Sequence, residues 1–341
     1  MTILNLVENA DLRPLNTLGI SEQARRLAYV ETDAELRAAL SLAHTHGWPI
    51  TLLGGGSNVV VAGPLEGLVI VMRGRGRCIV ERGPNAVIIE GEAGEGWHAL
   101  VNWTLDQGLS GLENLSLIPG TLGAAPVQNI GAYGVELKDS FDSLEALDRE
   151  TGQVLRFSRE ECQFAYRDSL FKRSAGRYVI LRVRLRLQPR PVLNVEYAPL
   201  GAAWQATGLQ RPDARVVSAL VCQIRSSKLP DPAKLGNAGS FFKNPLISAT
   251  QLQTLLVDYP SLPHYPQTDG QYKVAAGWLI EKAGWKGYRA GNVGVHSEQA
   301  LVLVNFGAAR GREVLALAEQ IRQDVATRFG LELEMEPQQI G

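Results

Sequence analysis

Residues 51–58 read TLLGGGSN, with three consecutive glycines between an apolar run and a Ser-Asn pair. Residues 49–53 have the apolar character of a short strand. Glycine is favoured where the backbone adopts a positive φ or where another group lies directly against the main chain. The stretch therefore predicts a loop after a strand, with main-chain N–H groups facing an anion such as a phosphate. A simple tight turn is the alternative interpretation.

A second loop strengthens the ligand hypothesis. Residues 116–134, SLIPGTLGAAPVQNIGAYG, are rich in small residues and show neither a helical nor a strand period. A long segment of this kind in a compact domain is usually functional. The first loop does not match G-x-G-x-x-G followed by a helix, which disfavours a Rossmann site. Two such loops instead predict a site that holds the two ends of a pyrophosphate-linked cofactor.

Composition narrows the class of partner. The 341 residues are 45% hydrophobic and 20% charged, with a formal net charge of −1, as in an ordinary globular protein of two or three domains. This balance gives no electrostatic reason to expect a nucleic acid or a membrane surface, and a small-molecule substrate is favoured. The N-terminal segment lacks signal-peptide features and no apolar run approaches ~18 residues, so we expect a cytoplasmic protein. A monomer is expected, although no sequence pattern specifies the oligomeric state.

The cysteines and histidines do not indicate a metal site. Cys78, Cys162 and Cys222 are widely spaced and form no CxxC pair, which predicts three buried thiols in a reducing compartment, without disulfide or zinc. His44 and His46 form the only close histidine pair. They are interpreted as the solvated end of a helix.

Apolar periodicity predicts an α+β chain. The predicted helices cover residues 36–43, 97–105, 213–224, a segment opened by a Ser248–Gln251 capping box, 273–283 and 312–329. The predicted strands cover residues 68–72, 86–90, a hairpin of 144–147 with 153–157, 178–187, 300–305 and 331–336. Pro189 and Pro191 interrupt the pattern and predict a domain boundary.

Two further segments carry reactive side chains, YRDSLFK at 166–172 and GNAGSFFKNP at 236–245. Ser240 in the second lies near Asn237, Lys243 and Asn244. An arbitrary serine usually caps or bonds locally, but these polar neighbours in a glycine-rich loop favour a chemical role.

Six segments occur in order over nearly the whole chain: GGGSN, IPGTLGAAPVQNIGAYGVEL, YRDSLFK, KLPDP with NAGSFFKNP, AAGWLIEKAGWKG and LEMEPQQIG. Together they resemble the UDP-N-acetylenolpyruvoylglucosamine reductase family in its longer, type I form. The resemblance implies a flavoenzyme of peptidoglycan precursor synthesis that makes UDP-N-acetylmuramate. Hydride would pass from NADPH through FAD N5 to C3 of the enolpyruvyl group, and a serine would protonate C2.

The resemblance also implies the domain organisation. An FAD-binding fold of the vanillyl-alcohol-oxidase (PCMH) type would comprise subdomains 1–73 and 74–190. A third, α+β substrate-binding domain would cover 191–331, and the tail 332–341 would return to the first subdomain.

By the same resemblance, the cofactor-binding residues are Gly54, Gly55, Gly56, Ser57, Asn58, Ile118, Pro119, Gly120, Gly123 and Gly131. No histidine follows the glycines, so the FAD is expected to be non-covalent. Ala124 and Ala125 stand where some relatives have serines, so binding there would use backbone groups.

The implied catalytic residues are Ser240, Arg167 and Glu336. Arg167 and Glu336 would contact the substrate carboxylate, and Ser240 would donate the proton to C2. Because a serine hydroxyl is a weak acid, Lys228, Asn237 or a water would have to assist it. The implied substrate-binding residues are Tyr133, Tyr197, Lys228 and Asn244.

Two other functions stay open. Another FAD-dependent oxidoreductase of the vanillyl-alcohol-oxidase class would usually lack the NAGSFFKNP loop and the glutamate. A nucleotide-sugar-binding protein without turnover would tolerate loss of Ser240, Arg167 or Glu336, and all three are present. No separate Rossmann domain is visible, so NADPH and substrate are expected to use one flavin face in turn.

Overall fold

The computed structural model describes residues 4–174, 176–190, 192–211, 213–267 and 269–341, and the chain forms two compact units. The first comprises Met1–Ala10, Ala24–Gly55 and Glu66–Ser227, and the second comprises Asp11–Gln23, Gly56–Leu65 and Lys228–Gly341. Pro191, which was expected to mark a boundary, lies outside the described residues. The domain limits at 73, 190 and 331 stay predictions.

The helices of the described residues are α1 (Asp33–His46), α2 (Trp97–Asp106), α3 (Leu137–Ser140), α4 (Leu170–Arg173), α5 (Ala198–Ala206), α6 (Ala214–Lys228), α7 (Ala249–Asp258), α8 (Ala276–Lys282) and α9 (Gly311–Phe329). The strands are β1 (Leu6–Asp11), β2 (Gln23–Val30), β3 (Ile50–Leu53), β4 (Val59–Val61), β5 (Leu65–Met72), β6 (Arg77–Arg82), β7 (Val87–Glu92), β8 (Gly131–Ala132), β9 (Val135–Glu136), β10 (Phe141–Asp148), β11 (Val154–Ser158), β12 (Tyr178–Leu187), β13 (Gly236–Ser240), β14 (Leu246–Ile247), β15 (His264–Pro266), β16 (Tyr272–Val274), β17 (Arg289–Ala290), β18 (Val293–Val295), β19 (Val302–Asn305) and β20 (Gln338–Ile340).

Two larger sheets organise the first unit. One has the order β1-β2-β5-β3, and the other has the order β11-β10-β12-β7-β6. The predicted hairpin is confirmed, because β10 and β11 pair antiparallel with Leu144 opposite Phe157. The predicted helix over 36–43 is also confirmed: α1 begins with a Thr32–Glu35 capping box and ends at Gly47, which is left-handed. His44 and His46 are exposed in its last turn, as expected.

The second unit contains the sheets β13-β19-β18-β17 and β14-β16-β15 and the parallel pair β20-β4. In that pair Gln338 lies opposite Val59, so the chain around residue 340 is anchored directly after the GGGSN stretch. The predicted helix over 312–329 is confirmed as α9, and the Ser248–Gln251 capping box opens α7.

Three predictions were wrong in detail. Residues 331–336 do not form a strand, because the pairing with β4 begins only at Gln338. The start of the helix predicted over 273–283 is strand β16, which is held between β14 and β15. The cysteines are free thiols, but only Cys162 is buried; Cys78 is exposed because β6 is an edge strand, and Cys222 is half-buried on α6.

Within the described ranges, no helix combines the length and apolar character needed to cross a bilayer. No group of three or more His, Cys, Asp or Glu side chains in those ranges could hold a metal ion.

Candidate active site

The glycines of GGGSN lie so close to other segments of the chain that a Cβ would overlap with their atoms. A Cβ on Gly55 would lie 2.7 Å from the Cα of Gly120, and one on Gly54 would lie 2.6 Å from Oγ1 of Thr121. The two loops singled out from sequence therefore pack against each other in the first unit. Gly56, in the second unit, has φ 60° and a Cβ there would lie 1.9 Å from the Leu15 carbonyl oxygen. At Gly55 and Gly56 the obstacle is backbone, so a Cβ there would require the main chain to move, whereas at Gly54 the obstacle is the Thr121 side chain.

The paired loops of the first unit fit the pyrophosphate part of FAD. Gly55, Pro119 and Ala124 are exposed, so small side chains and bare main chain face solvent. Residues 54–58 and 116–134 contain no Asp or Glu that would repel phosphates. A cofactor diphosphate binds best where it can approach main-chain N–H groups closely and where no acidic side chain repels it. These loops provide such a surface. Of the other residues predicted to bind FAD, one, Gly56, is buried. The rest are half-buried: Gly54, Ser57, Asn58, Ile118, Gly120, Gly123 and Gly131.

Backbone strain is concentrated in the second loop and in YRDSLFK. In the described chain, positive φ angles of non-glycine residues occur at Asn9, Leu117, Asn129, Tyr133, Gln163 and Arg167, so four of the six lie in these two segments. Such conformations persist only where the surroundings impose them, and they cluster at functional sites. At Leu117 the backbone N–H donates to Nδ1 of His98 at 3.0 Å.

Arg167 is positioned by Gly131. Its Nη2 donates to the Gly131 carbonyl oxygen at 2.7 Å, and a Cβ on Gly131 would lie 2.9 Å from Nη1. The Arg167 carbonyl oxygen accepts from Nζ of Lys172 at 3.1 Å. Gly131, predicted to bind the cofactor, therefore also contacts and positions Arg167, the predicted catalytic arginine.

Tyr133 and Tyr197 lie together, although they are distant in sequence. Their rings are 5.4 Å apart and nearly perpendicular, at 84°. Nδ2 of Asn114 donates to the Tyr133 carbonyl oxygen at 2.9 Å and to the Asn194 carbonyl oxygen at 2.7 Å, which ties the two segments together. Burial raises the pKa of Tyr133, so its phenol keeps its proton and can donate.

In the second unit, Ser240 and Glu336 lie on adjacent segments. Ser240, half-buried, ends strand β13 opposite Val302. The next residue, Phe241, accepts a hydrogen bond at its carbonyl oxygen from the Glu336 backbone N–H at 3.0 Å. Glu336 is buried, and its own carbonyl oxygen accepts from Nδ2 of Asn58 at 3.1 Å. A serine, a buried carboxyl group and the last residue of GGGSN are thus assembled within one unit.

The remaining predicted residues have other neighbours. Nδ2 of Asn237 donates to the carbonyl oxygens of Pro230 and Leu235, and its Oδ1 accepts from Gly239. Its amide therefore fixes the loop before Ser240, and both of its N–H donors are already used. Oδ1 of Asn244 accepts from the Ala276 backbone N–H at 2.9 Å, at the start of α8. Lys228 is exposed at the end of α6.

Sequence reasoning missed two residues of the first unit, His98 and Arg225. His98 fixes the strained Leu117 backbone, and Arg225 carries a buried, unpartnered Nε. Neither belongs to a motif or a glycine-rich loop. Only the packing of α2 and α6 makes them recognisable.

Comparison with known proteins first defines the class. Residues 24–158 match the family model of the FAD binding domain. 6-Hydroxy-D-nicotine oxidase from Arthrobacter nicotinovorans shares the fold, with a TM-score of 0.55 at 15% identity over 96% of this chain and 86% of that one. The chain therefore has the α+β FAD-binding fold of the vanillyl-alcohol-oxidase type that the sequence predicted, and its class is that of proteins with an FAD-binding domain.

Residues 231–340 match the C-terminal domain model of UDP-N-acetylenolpyruvoylglucosamine reductase. The enzyme of that name from Pseudomonas aeruginosa is 56% identical over 334 residues, covering 98% of both chains. The crystal structure of the Thermus caldophilus reductase superposes with a TM-score of 0.68 at 26% identity, covering 99% of both chains. The chain belongs to the UDP-N-acetylenolpyruvoylglucosamine reductase family, whose members act in peptidoglycan precursor synthesis. This confirms the resemblance and disfavours another oxidoreductase of the wider class.

Proposed function

We propose that this protein reduces UDP-N-acetylglucosamine enolpyruvate to UDP-N-acetylmuramate, using NADPH. The observation that carries the proposal is the placement of Ser240 beside Glu336 within the second unit, held by the hydrogen bond between the Glu336 N–H and the Phe241 carbonyl oxygen. FAD, when bound along Gly54, Gly55 and residues 118–131 of the first unit, supplies hydride transfer from NADPH to C3 of the enolpyruvyl group.

Ser240 is proposed to donate the proton to C2. Its half-burial limits competition from bulk water. Asn237 fixes the loop before it through the Gly239 backbone N–H, which positions the backbone that carries the hydroxyl. Because both N–H donors of Asn237 are used, Lys228 or a bound water is favoured as the donor that assists loss of the serine proton.

Arg167 and Glu336 are proposed to act on the substrate carboxylate. Charge develops there when C3 gains hydride, and a planar guanidinium is suited to a two-point contact with it. Arg167 is preorganised for this by its bond to Gly131. Glu336 is buried, and in its protonated form it could donate to the same carboxylate.

Tyr133, Tyr197, Lys228 and Asn244 are proposed to bind the diphosphate and the sugar. The perpendicular contact of Tyr133 and Tyr197 supports a joint role for these two phenols. Asn244 already uses Oδ1 on Ala276, so only its NH2 group is offered to substrate.

The test is Ser240→Ala, with the two half-reactions followed separately by stopped-flow flavin absorbance. Flavin reduction by NADPH should stay near the parental rate, and reoxidation by the enolpyruvyl substrate should slow by ~10²–10⁴-fold, the contribution expected of a general acid. Ser261→Ala, at an exposed serine of the same unit, is the matched control and should alter neither rate. Slower reduction with unchanged reoxidation in Ser240→Ala would assign the serine to the cofactor site and refute the proton-donor role.

A further inference from the structure

Arg225 on α6 has one side-chain nitrogen that is buried without a hydrogen-bond acceptor. Among the described residues, its Nε is the only buried side-chain nitrogen or oxygen without a hydrogen-bond partner. A guanidinium stays protonated in proteins. The side chain as a whole is half-buried. A buried N–H without an acceptor is destabilising, and an anion bound by this guanidinium would offset that cost.

The surroundings of Arg225 are cationic and phenolic. Burial lowers the pKa of Arg225, and the positive charge of Arg167 lowers it further. The phenol of Tyr133 and the thiol of Cys222 act in the opposite direction and raise it. No carboxylate of the described residues contributes to this pKa shift. Two guanidinium groups and a tyrosine hydroxyl thus share one region of the first unit, which is an arrangement that attracts an anion.

The helix that carries Arg225 is held firmly against the rest of the first unit. The hydroxyl groups of Ser218 and Ser116 are 2.8 Å apart and hydrogen-bonded. Val217 and Val221 are fully buried in a cluster against which Tyr133 also packs. The guanidinium is therefore presented from a fixed element, which limits the ordering cost of ligand binding.

We propose that Arg225 binds an oxygen of the diphosphate of the UDP-sugar, beside Tyr133. This inference rests on the proposed function. The guanidinium fork matches phosphate geometry, and a diphosphate brings two negative charges where a carboxylate brings one. Arg167 is already assigned to the carboxylate. Lys228, proposed for the diphosphate, follows only three positions later in the sequence.

The experiment compares Arg225→Met with the parental FAD-loaded protein. Binding of UDP-N-acetylglucosamine, UDP and uridine is measured by calorimetry. The first two ligands carry the diphosphate without the enolpyruvyl carboxylate. Their affinities should fall about 10- to 100-fold, as for loss of a hydrogen bond to a charged group, and uridine binding should be unchanged. Arg225→Lys should recover part of the affinity.

A second readout separates binding from structure. Because Arg225→Met removes a buried N–H that has no acceptor, the thermal midpoint without substrate should stay equal or rise, whereas loss of a structural arginine would lower it. Arg215→Met is the matched control, since Arg215 lies on the same helix, is exposed and pairs with Asp106 at 2.9 Å. It should bind UDP like the parent.

Three results would overturn the inference. These are unchanged UDP binding by Arg225→Met, an affinity loss confined to the carboxylate-bearing enolpyruvyl substrate, and a loss confined to NADPH, whose diphosphate has the same chemistry. If the parental protein itself binds neither UDP nor UDP-N-acetylglucosamine, the proposed function fails as well.

Discussion

Replacing Gly131 with alanine should displace Arg167 while leaving the fold largely intact. The new Cβ would lie 2.9 Å from Nη1 of Arg167, whereas ordinary contacts are 3.4–4 Å. The guanidinium must therefore retreat by roughly 0.5–1 Å, and a misplacement of ~1 Å can reduce a rate by ~10²-fold. Gly131 is not among the glycines with positive φ, so the backbone itself accepts alanine.

The expected effect is confined to one half-reaction. Reoxidation of the flavin by the enolpyruvyl substrate should slow by about 10- to 100-fold. Reduction by NADPH should change much less at saturating FAD, because Arg167 is proposed to act only on the carboxylate; Gly131 is itself predicted to bind FAD, so rates are compared per bound flavin. The Cβ also lies 3.0 Å from Cγ of Glu136 and 3.1 Å from the Val135 carbonyl oxygen. This crowding should lower the free energy of unfolding by about 1–2 kcal/mol.

The assay is stopped-flow absorbance of protein reconstituted with excess FAD. Gly76→Ala is the matched control in the same unit, because its Cβ would make only an ordinary 3.4 Å contact with Glu92; it should keep both rates. If Gly131→Ala reoxidised at the parental rate while remaining folded, the proposed action of Arg167 on the carboxylate would be wrong.

Two further predictions concern the cofactor and pH. Acid precipitation should release all flavin into the supernatant, because Ser57 and Asn58 follow the glycines where a histidine could attach it; flavin retained in the pellet would contradict non-covalent binding. Burial, and then the charge of Arg225, lower the pKa of His98 from its ordinary 6.5, which favours the neutral ring that accepts from Leu117. This contribution to stability is present above about pH 6.5 and is lost as the pH falls through the lowered folded pKa. The parental thermal midpoint should therefore drop more between about pH 7.5 and pH 5.5 than that of His98→Asn, whose Oδ1 keeps the acceptor without titrating; equal drops would refute the assignment.

The sequence predicted best those elements whose signals are local. Helices α1 and α9 combine a 3.6-residue apolar period with an identifiable end, Gly47 or Gly330, and both were placed within a few residues. The prediction of a strand at 331–336 was wrong because apolar alternation does not specify which strand a segment pairs with. The pairing partner of β20 is residues 59–61, which no local pattern reveals.

The candidate site divides in the same way. Motif order pointed to Ser240 and Glu336, and the structure places their segments side by side. The order of the motifs could not show that Gly55 packs on Gly120 or that Gly131 contacts Arg167, because these contacts join segments that are distant in the sequence. Arg225 was undetectable, since an arginine in an amphipathic helix has no signature until its surroundings are known.

The discontinuous second unit has a consequence for biosynthesis. Its segments Asp11–Gln23 and Gly56–Leu65 are made long before Lys228–Gly341. A ribosome adds about 5–20 residues per second, so strand β4 emerges many seconds before β20 exists to pair with it. During that interval Asn58 also lacks Glu336, its hydrogen-bond partner. A chain interrupted shortly before residue 336 would lose the glutamate and, with it, the strand that orders the residues after GGGSN. In such a chain β4 would have no pairing partner, so its backbone N–H and C=O groups on that edge would stay unpaired.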